Sequence, residues 1–129
     1  MKIHHVGYLV KNIKKSVSDF EALGFKACGN IRFDETRNVD IVFLKLNETC
    51  IELINPHSDS EIAGLLNKFG NSPYHICYEV SDITRTADEL KRKGFMVFKD
   101  TALAPAISER ARVSFLISPN IGIVELLQL

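Results

Sequence analysis

Apolar and polar residues alternate along residues 3–10, IHHVGYLV. A strand there puts His5, Gly7 and Leu9 on one face and Val6, Tyr8 and Val10 on the other. The period then changes: Ile13, Val17, Phe20 and Leu23 recur at spacings of three and four, as in an amphipathic helix. Asn12 stands where a helix cap is needed, and Gly24 stands where a glycine ends the last turn. A second strand is expected within residues 25–33, followed by a turn in the polar run 34–38. Residues 40–46 and 49–55 read as two further strands joined at Asn47-Glu48, which gives the order β-α-β-β-β.

The pattern returns seventy residues later. Without a gap, His5 falls on His75, Tyr8 on Tyr78, Val10 on Val80, Ile13 on Ile83, Gly24 on Gly94 and Phe25 on Phe95. These identities sit at matched points of a strand, a turn and a helix end, which points to internal duplication. The second copy predicts a strand over 74–80, a cap near Asp82, a helix reaching Lys93, and strands over 95–99, 112–118 and 122–128. Between the copies, Ser58 with Glu61 suggests a capping box for a short connector helix carrying Ile62, Leu65, Leu66 and Phe69, stopped by Gly70 and Pro73. The loop 101–111, TALAPAISERA, breaks the match. The expected architecture is α+β, two tandem βαβββ repeats in one domain over 1–129: repeat one about 1–56, connector about 57–72 and repeat two about 73–129.

Composition narrows the partners. Sixteen basic residues balance sixteen acidic ones, so no general electrostatic attraction to nucleic acid or to an anionic membrane is expected. No apolar run approaches the roughly eighteen residues of a spanning helix, and Met1 and Lys2 lead straight into the first strand. A cytoplasmic protein is the expectation. Cys28, Cys50 and Cys77 lack CxxC spacing and read as reduced thiols packed as small apolar groups.

The repeat also pairs chemistry. IELI at 51–54 and VELL at 124–127 each follow a Phe-Leu pair, Phe43-Leu44 and Phe115-Leu116, so Glu52 and Glu125 are equivalent as His5 and His75 are. A glutamate within an apolar strand is costly to bury unless it is paired or metal-bound. Taken singly, each glutamate could face solvent and each histidine could be a hydrogen-bonded core residue. Taken together, the four suggest one site for a divalent ion of the Zn, Ni, Co, Mn or Fe group rather than calcium, which prefers oxygen ligands alone. Such an ion polarises a carbonyl, and a carboxylate beside it can act as general base on a carbon-bound proton. Arg32, Arg37, Arg110 and Arg112 are candidates to clamp an anionic substrate, and Asp40 and Glu35 are candidates for a further base.

The runs HHVGYLV, IELINP, YHICYEV and IVELLQ resemble, over the whole chain, the vicinal oxygen chelate superfamily of glyoxalases, epimerases, extradiol dioxygenases and bleomycin or fosfomycin resistance proteins. The combination IELINP, SDSEIAGLLNKFG and YHICYEVSDI is most similar to methylmalonyl-CoA epimerases. The resemblance implies an incomplete barrel around a divalent metal (Co, Ni, Zn or Mn) held by His5, Glu52, His75 and Glu125. It further implies that Glu125 doubles as catalytic base, with Glu52 available to the opposite face. The implied reaction is proton abstraction α to a thioester or ketone, on an acyl-CoA or other small-molecule substrate, in a homodimer. Glyoxalase I (lactoylglutathione lyase) and a small-molecule binding or resistance protein are the alternatives. Ser118-Pro119-Asn120 departs from the His-Pro-Lys turn usual in the epimerases.

Overall fold

The computed structural model describes residues 1–129. Its elements run β1 (Lys2–Leu9), α1 (Ile13–Ala22), β2 (Lys26–Ala27), β3 (Arg32–Asp34), β4 (Val39–Leu46), β5 (Thr49–Pro56), α2 (Ala63–Phe69), β6 (Ser72–Glu79), α3 (Ile83–Arg92), β7 (Met96–Leu103), β8 (Arg112–Ser118) and β9 (Gly122–Gln128). The chain divides into two compact units, His5–Tyr74 in one and Met1–His4 with His75–Leu129 in the other. The class is α+β, as the periodicity predicts.

In the first unit β1 pairs parallel with β5, β5 antiparallel with β4, and β4 carries both β2 and β3 on its other side. The β4–β5 hairpin turns at Asn47, whose φ of 51° lies in the left-handed region that asparagine tolerates. Helix α1 starts where the Asn12 side chain accepts a hydrogen bond from the Lys15 amide at 3.1 Å, and it ends before Gly24, at φ 101°. Its apolar stripe packs Ile13, Val17 and Phe20 onto Val10, Val42, Leu44, Ile51 and Leu53. Phe20 stands edge-on to both Tyr8 and Phe25, each with ring centroids 5.4 Å away. Full burial of a side chain such as Leu44 or Leu53 stabilises by roughly 1.5–3 kcal/mol.

The second unit repeats the construction. β6 is parallel to β9, β9 antiparallel to β8, and β8 antiparallel to β7, whose register shifts at two bulges. The Asp82 side chain caps α3 by accepting from the Arg85 amide at 2.9 Å, the Gln128 side-chain oxygen accepts from the Ile83 amide, and Gly94 ends the helix at φ 97°. Ile83, Ala87 and Leu90 pack on Val80, Leu116, Val124 and Leu126. Ala87 gives a narrower stripe than Val17 and Phe20 do, as the sequence suggests.

Four expectations change. The strand expected within 25–33 is two short pieces, β2 and β3, because Gly29 takes φ 123° between them. Leu23, expected on the α1 stripe, is the helix's C-cap and is exposed. The Ser58/Glu61 capping box does not start the connector helix; α2 begins at Ala63 behind Ile62 without a side-chain cap, and only Leu66 of its stripe is buried. Ser60 intervenes instead, its hydroxyl accepting from the Ile62 amide at 3.4 Å. Finally, β7 extends to Leu103, so the irregular loop shortens to 104–111. No helix is long and apolar enough to cross a membrane.

Candidate metal centre

In the first unit the strand period carries His5 and Glu52 inward. Gly7 lies opposite Glu52 in the parallel β1–β5 register, and Phe43 lies opposite it in the antiparallel β4–β5 register. His5 is 1% exposed and Glu52 0%. The His5 ring stands edge-on to Phe43, centroids 5.4 Å apart at 82°. His5 Nε2 is 3.9 Å from Glu52 Oε2, while Arg37 Nη1 is 3.8 Å from the other oxygen, Oε1. Neither Glu52 oxygen accepts a hydrogen bond. A fully buried carboxylate approached by a guanidinium and an imidazole near 4 Å, with no hydrogen bond to either oxygen, is a donor that a cation would complete.

The second unit reproduces this register. Cys77 lies opposite Glu125 in the parallel β6–β9 pair and Phe115 lies opposite it in the antiparallel β8–β9 pair, with His75 again two residues before the small residue. His75 and Glu125 are as deeply buried as their counterparts. The His75 ring is edge-on to Phe115, centroids 5.6 Å apart at 74°. Here the pair is closer, Nε2 to Oε2 at 2.9 Å. Each half therefore brings its predicted histidine and glutamate together on one face.

The surroundings differ. Arg37 sits in the β3–β4 turn, where Asp34 Oδ1 accepts from the Thr36 and Arg37 amides at 2.9 and 3.3 Å and Asp34 Oδ2 accepts from Arg37 Nε at 2.9 Å. The Arg37 carbonyl accepts from the Ser60 hydroxyl at 2.8 Å. In the second unit the face beside Glu125 is covered by the 104–111 loop, which packs Ala104, Ile107 and Ala111 onto Cys77, Val113, Phe115 and Leu127. That loop is closed by the Ala104 amide donating to the Ala111 carbonyl at 2.8 Å.

Of the four candidate arginines only Arg37 reaches a site carboxylate, and Arg32, Arg110 and Arg112 are exposed. Asp40 pairs with His57 at 3.1 Å, and Glu35 is exposed in the turn. The sequence singles out Arg37 only as one of four; the Asp34–Arg37 spacing of three is the local signal that sets it apart. None of the three cysteines is in a disulfide. Cys50 and Cys77 are buried as expected, whereas Cys28 is exposed. Burial, with a smaller contribution from Cys28, pushes the Cys50 thiol up to about 11, away from nucleophilic use.

A duplicated βαβββ half, each copy burying a His–Glu pair on its first and last strands, defines a glyoxalase-like α+β protein. The model of the Glyoxalase/Bleomycin resistance protein/Dioxygenase superfamily matches residues 4–115. The chain belongs to that superfamily. The matched stretch holds His5, Glu52 and His75 and ends before Glu125. Among its relatives, the ethylmalonyl-CoA/methylmalonyl-CoA epimerase of Cereibacter sphaeroides is 32% identical over 98 residues, 74% of this chain and 73% of that one. The mitochondrial methylmalonyl-CoA epimerase of Homo sapiens is 34% identical over 96 residues, 71% of this chain; the matched stretch spans 53% of the human protein. In three dimensions, a Streptomyces coelicolor methylmalonyl-CoA epimerase in complex with 2-nitronate-propionyl-CoA superimposes with a TM-score of 0.85 at 24% identity, covering 99% of this chain and 94% of that one. It is a likeness of fold. The identity of the epimerase relatives supports an enzyme with epimerase-like function.

Proposed function

We propose that the chain is a metal-dependent epimerase acting α to a thioester carbonyl, on a methylmalonyl-CoA-like acyl-CoA. The carrying observation is the buried His–Glu pair repeated in register in both halves, with Glu52 fully buried and accepting no hydrogen bond. Its likeness to epimerases at about one-third identity points the same way. In this reading His5, Glu52, His75 and Glu125 together hold one divalent ion of the Co, Ni, Zn or Mn group. When bound, that ion supplies Lewis acidity against the charge developing on the thioester oxygen.

The chain's own residues do the rest. The Glu125 carboxylate accepts the α-proton, and the C–H electron pair passes into the thioester as an enolate. Return of a proton to the opposite face gives the other epimer, and Glu52 is the carboxylate available on that side. Phe43 and Phe115, edge-on to the two histidines, keep the rings oriented and limit water beside them. A homodimer is part of this proposal and is checked by light scattering on the eluting protein.

The test is exchange. Incubation of the purified protein with methylmalonyl-CoA and Co²⁺ in D₂O is expected to place deuterium at the α-carbon, with one equivalent of metal retained after desalting. Absence of exchange with Co²⁺, Ni²⁺, Zn²⁺ and Mn²⁺ alike overturns the epimerase reading. Formation of lactoylglutathione from the methylglyoxal–glutathione hemithioacetal would move the chain to the lyases instead.

A further inference from the structure

We propose that Arg37 is a positioning residue for Glu52, held in place by Asp34 and Ser60, and that it fixes which oxygen of Glu52 is presented toward His5. The inference rests on the metal reading above for its purpose, though its geometry stands within the first unit alone. Arg37 is anchored at three points: its amide and Nε on Asp34, and its carbonyl on the Ser60 hydroxyl. Asp34 is itself buried, so the anchor does not swing with solvent. A guanidinium pinned through Nε leaves its Nη1 edge aimed in one direction, and that edge lies 3.8 Å from Glu52 Oε1. The carboxylate is thereby split in function. Oε1 faces the guanidinium and Oε2 faces His5 Nε2 at 3.9 Å, which makes Glu52 a one-oxygen ligand through Oε2.

In the second half the loop in the corresponding place brings Ile107 onto an apolar cluster, and Glu125 Oε2 lies 2.9 Å from His75 Nε2. The two glutamates thus occupy the same register beside different loops: a guanidinium stands next to Glu52, and an apolar loop packs on Cys77 and Phe115, the residues opposite Glu125. Positioning of a ligand by a partner one shell out is commonly worth about 10- to 100-fold in metal affinity.

A cycle of Arg37→Met, Glu52→Gln and the double variant tests this on the full chain with two readouts, neither of them activity. Titration with Co²⁺ followed by calorimetry is expected to show Arg37→Met weakening binding about tenfold in the wild-type background and less than about twofold in the Glu52→Gln background. Arg37→Lys, which keeps the charge but not the fork, falls between. Thermal unfolding of the metal-free proteins is the second readout. Arg37→Met is expected to lower Tm by about 5 °C more when Glu52 is present than when it is Gln. Loss of the Asp34 contact is common to both backgrounds and cancels.

Equal effects of Arg37→Met in both backgrounds, in either readout, overturn the positioning role. If the wild-type chain binds no Co²⁺ at all, the metal reading fails while the melting cycle still decides whether Arg37 orients Glu52.

Discussion

The two halves of the chain share a register to the residue and part company in one loop. In both, a histidine on the first strand stands two residues before a small residue that lies opposite a buried glutamate on the last strand, with a phenylalanine across from it. In the first half the connection into β4, the strand next to the glutamate strand, is a tight polar turn, Asp34 to Asn38, that turns Arg37 on Glu52. In the second it is the apolar loop 104–111, which lays Ile107 on Cys77 and Phe115. Strand register fixes where the donors stand, and the intervening loop decides what each donor experiences.

The sharpest break of this near-symmetry is catalytic. At saturating metal, Glu125→Gln is expected to slow α-proton exchange by about 10² to 10⁴, whereas Glu52→Gln should cost at least tenfold less in rate and show mainly in metal affinity. Equal losses in the rate of deuterium incorporation would erase the distinction between the halves. Metal retention probes the shared part of the design. His5→Ala and His75→Ala should each weaken Co²⁺ binding by more than about 100-fold, since a direct ligand is worth more than its supports; metal analysis after dialysis reads this, and retention in one variant alone would confine the centre to one half.

The apolar wall is the next target. Ile107→Asp should destabilise by about 2 to 4 kcal/mol in urea unfolding, because a charge replaces hydrocarbon against Val113 and Phe115. An unchanged midpoint would show that the loop does not seal the second half. The smallest effect concerns thiols. Cys28 is exposed and Cys50 buried, so a disulfide-exchange reagent near pH 8 should titrate Cys28 alone in the folded chain. The Cys50 pKa is raised from 9.0 to about 11, so the folded state holds that proton more tightly than the unfolded state does. Its contribution is fully present below pH 9 and is lost as pH rises toward 11. Cys50→Ala should flatten alkaline unfolding across that window, and an identical pH profile would remove Cys50 from the account.

Much of this was legible in one dimension because its causes are local. Asn12 and Asp82 announce helix starts by side chains that bond an amide three residues on, and Gly24 and Gly94 announce ends by a left-handed φ. Period two put His5 on one face of its strand, and the duplication that matches His5 with His75 and Glu52 with Glu125 made that face the expected site. The failures have tertiary causes. Ser58 and Glu61 have the spacing of a capping box, but Ser60 engages the Arg37 carbonyl and the helix starts later. Residues 28–31 interrupt an expected strand at Gly29, φ 123°, and its two pieces each pair with β4. Arg37 stood undistinguished among four arginines because its neighbour Glu52 is fifteen residues away in sequence and meets it only across folded strands.

The Asp34 turn has a consequence for how such a protein can diverge. Its three contacts within Asp34–Arg37 are made inside four consecutive residues, so the information that aims the guanidinium is carried in a cassette shorter than the 8-residue strand β4 it leads into. A duplicated gene can rewrite a cassette of that size in one copy without disturbing strand pairing, core or helix caps in either. Evolvability here is lodged at the edge of the sheet, where a few substitutions set the temperament of a carboxylate that the frame itself keeps constant.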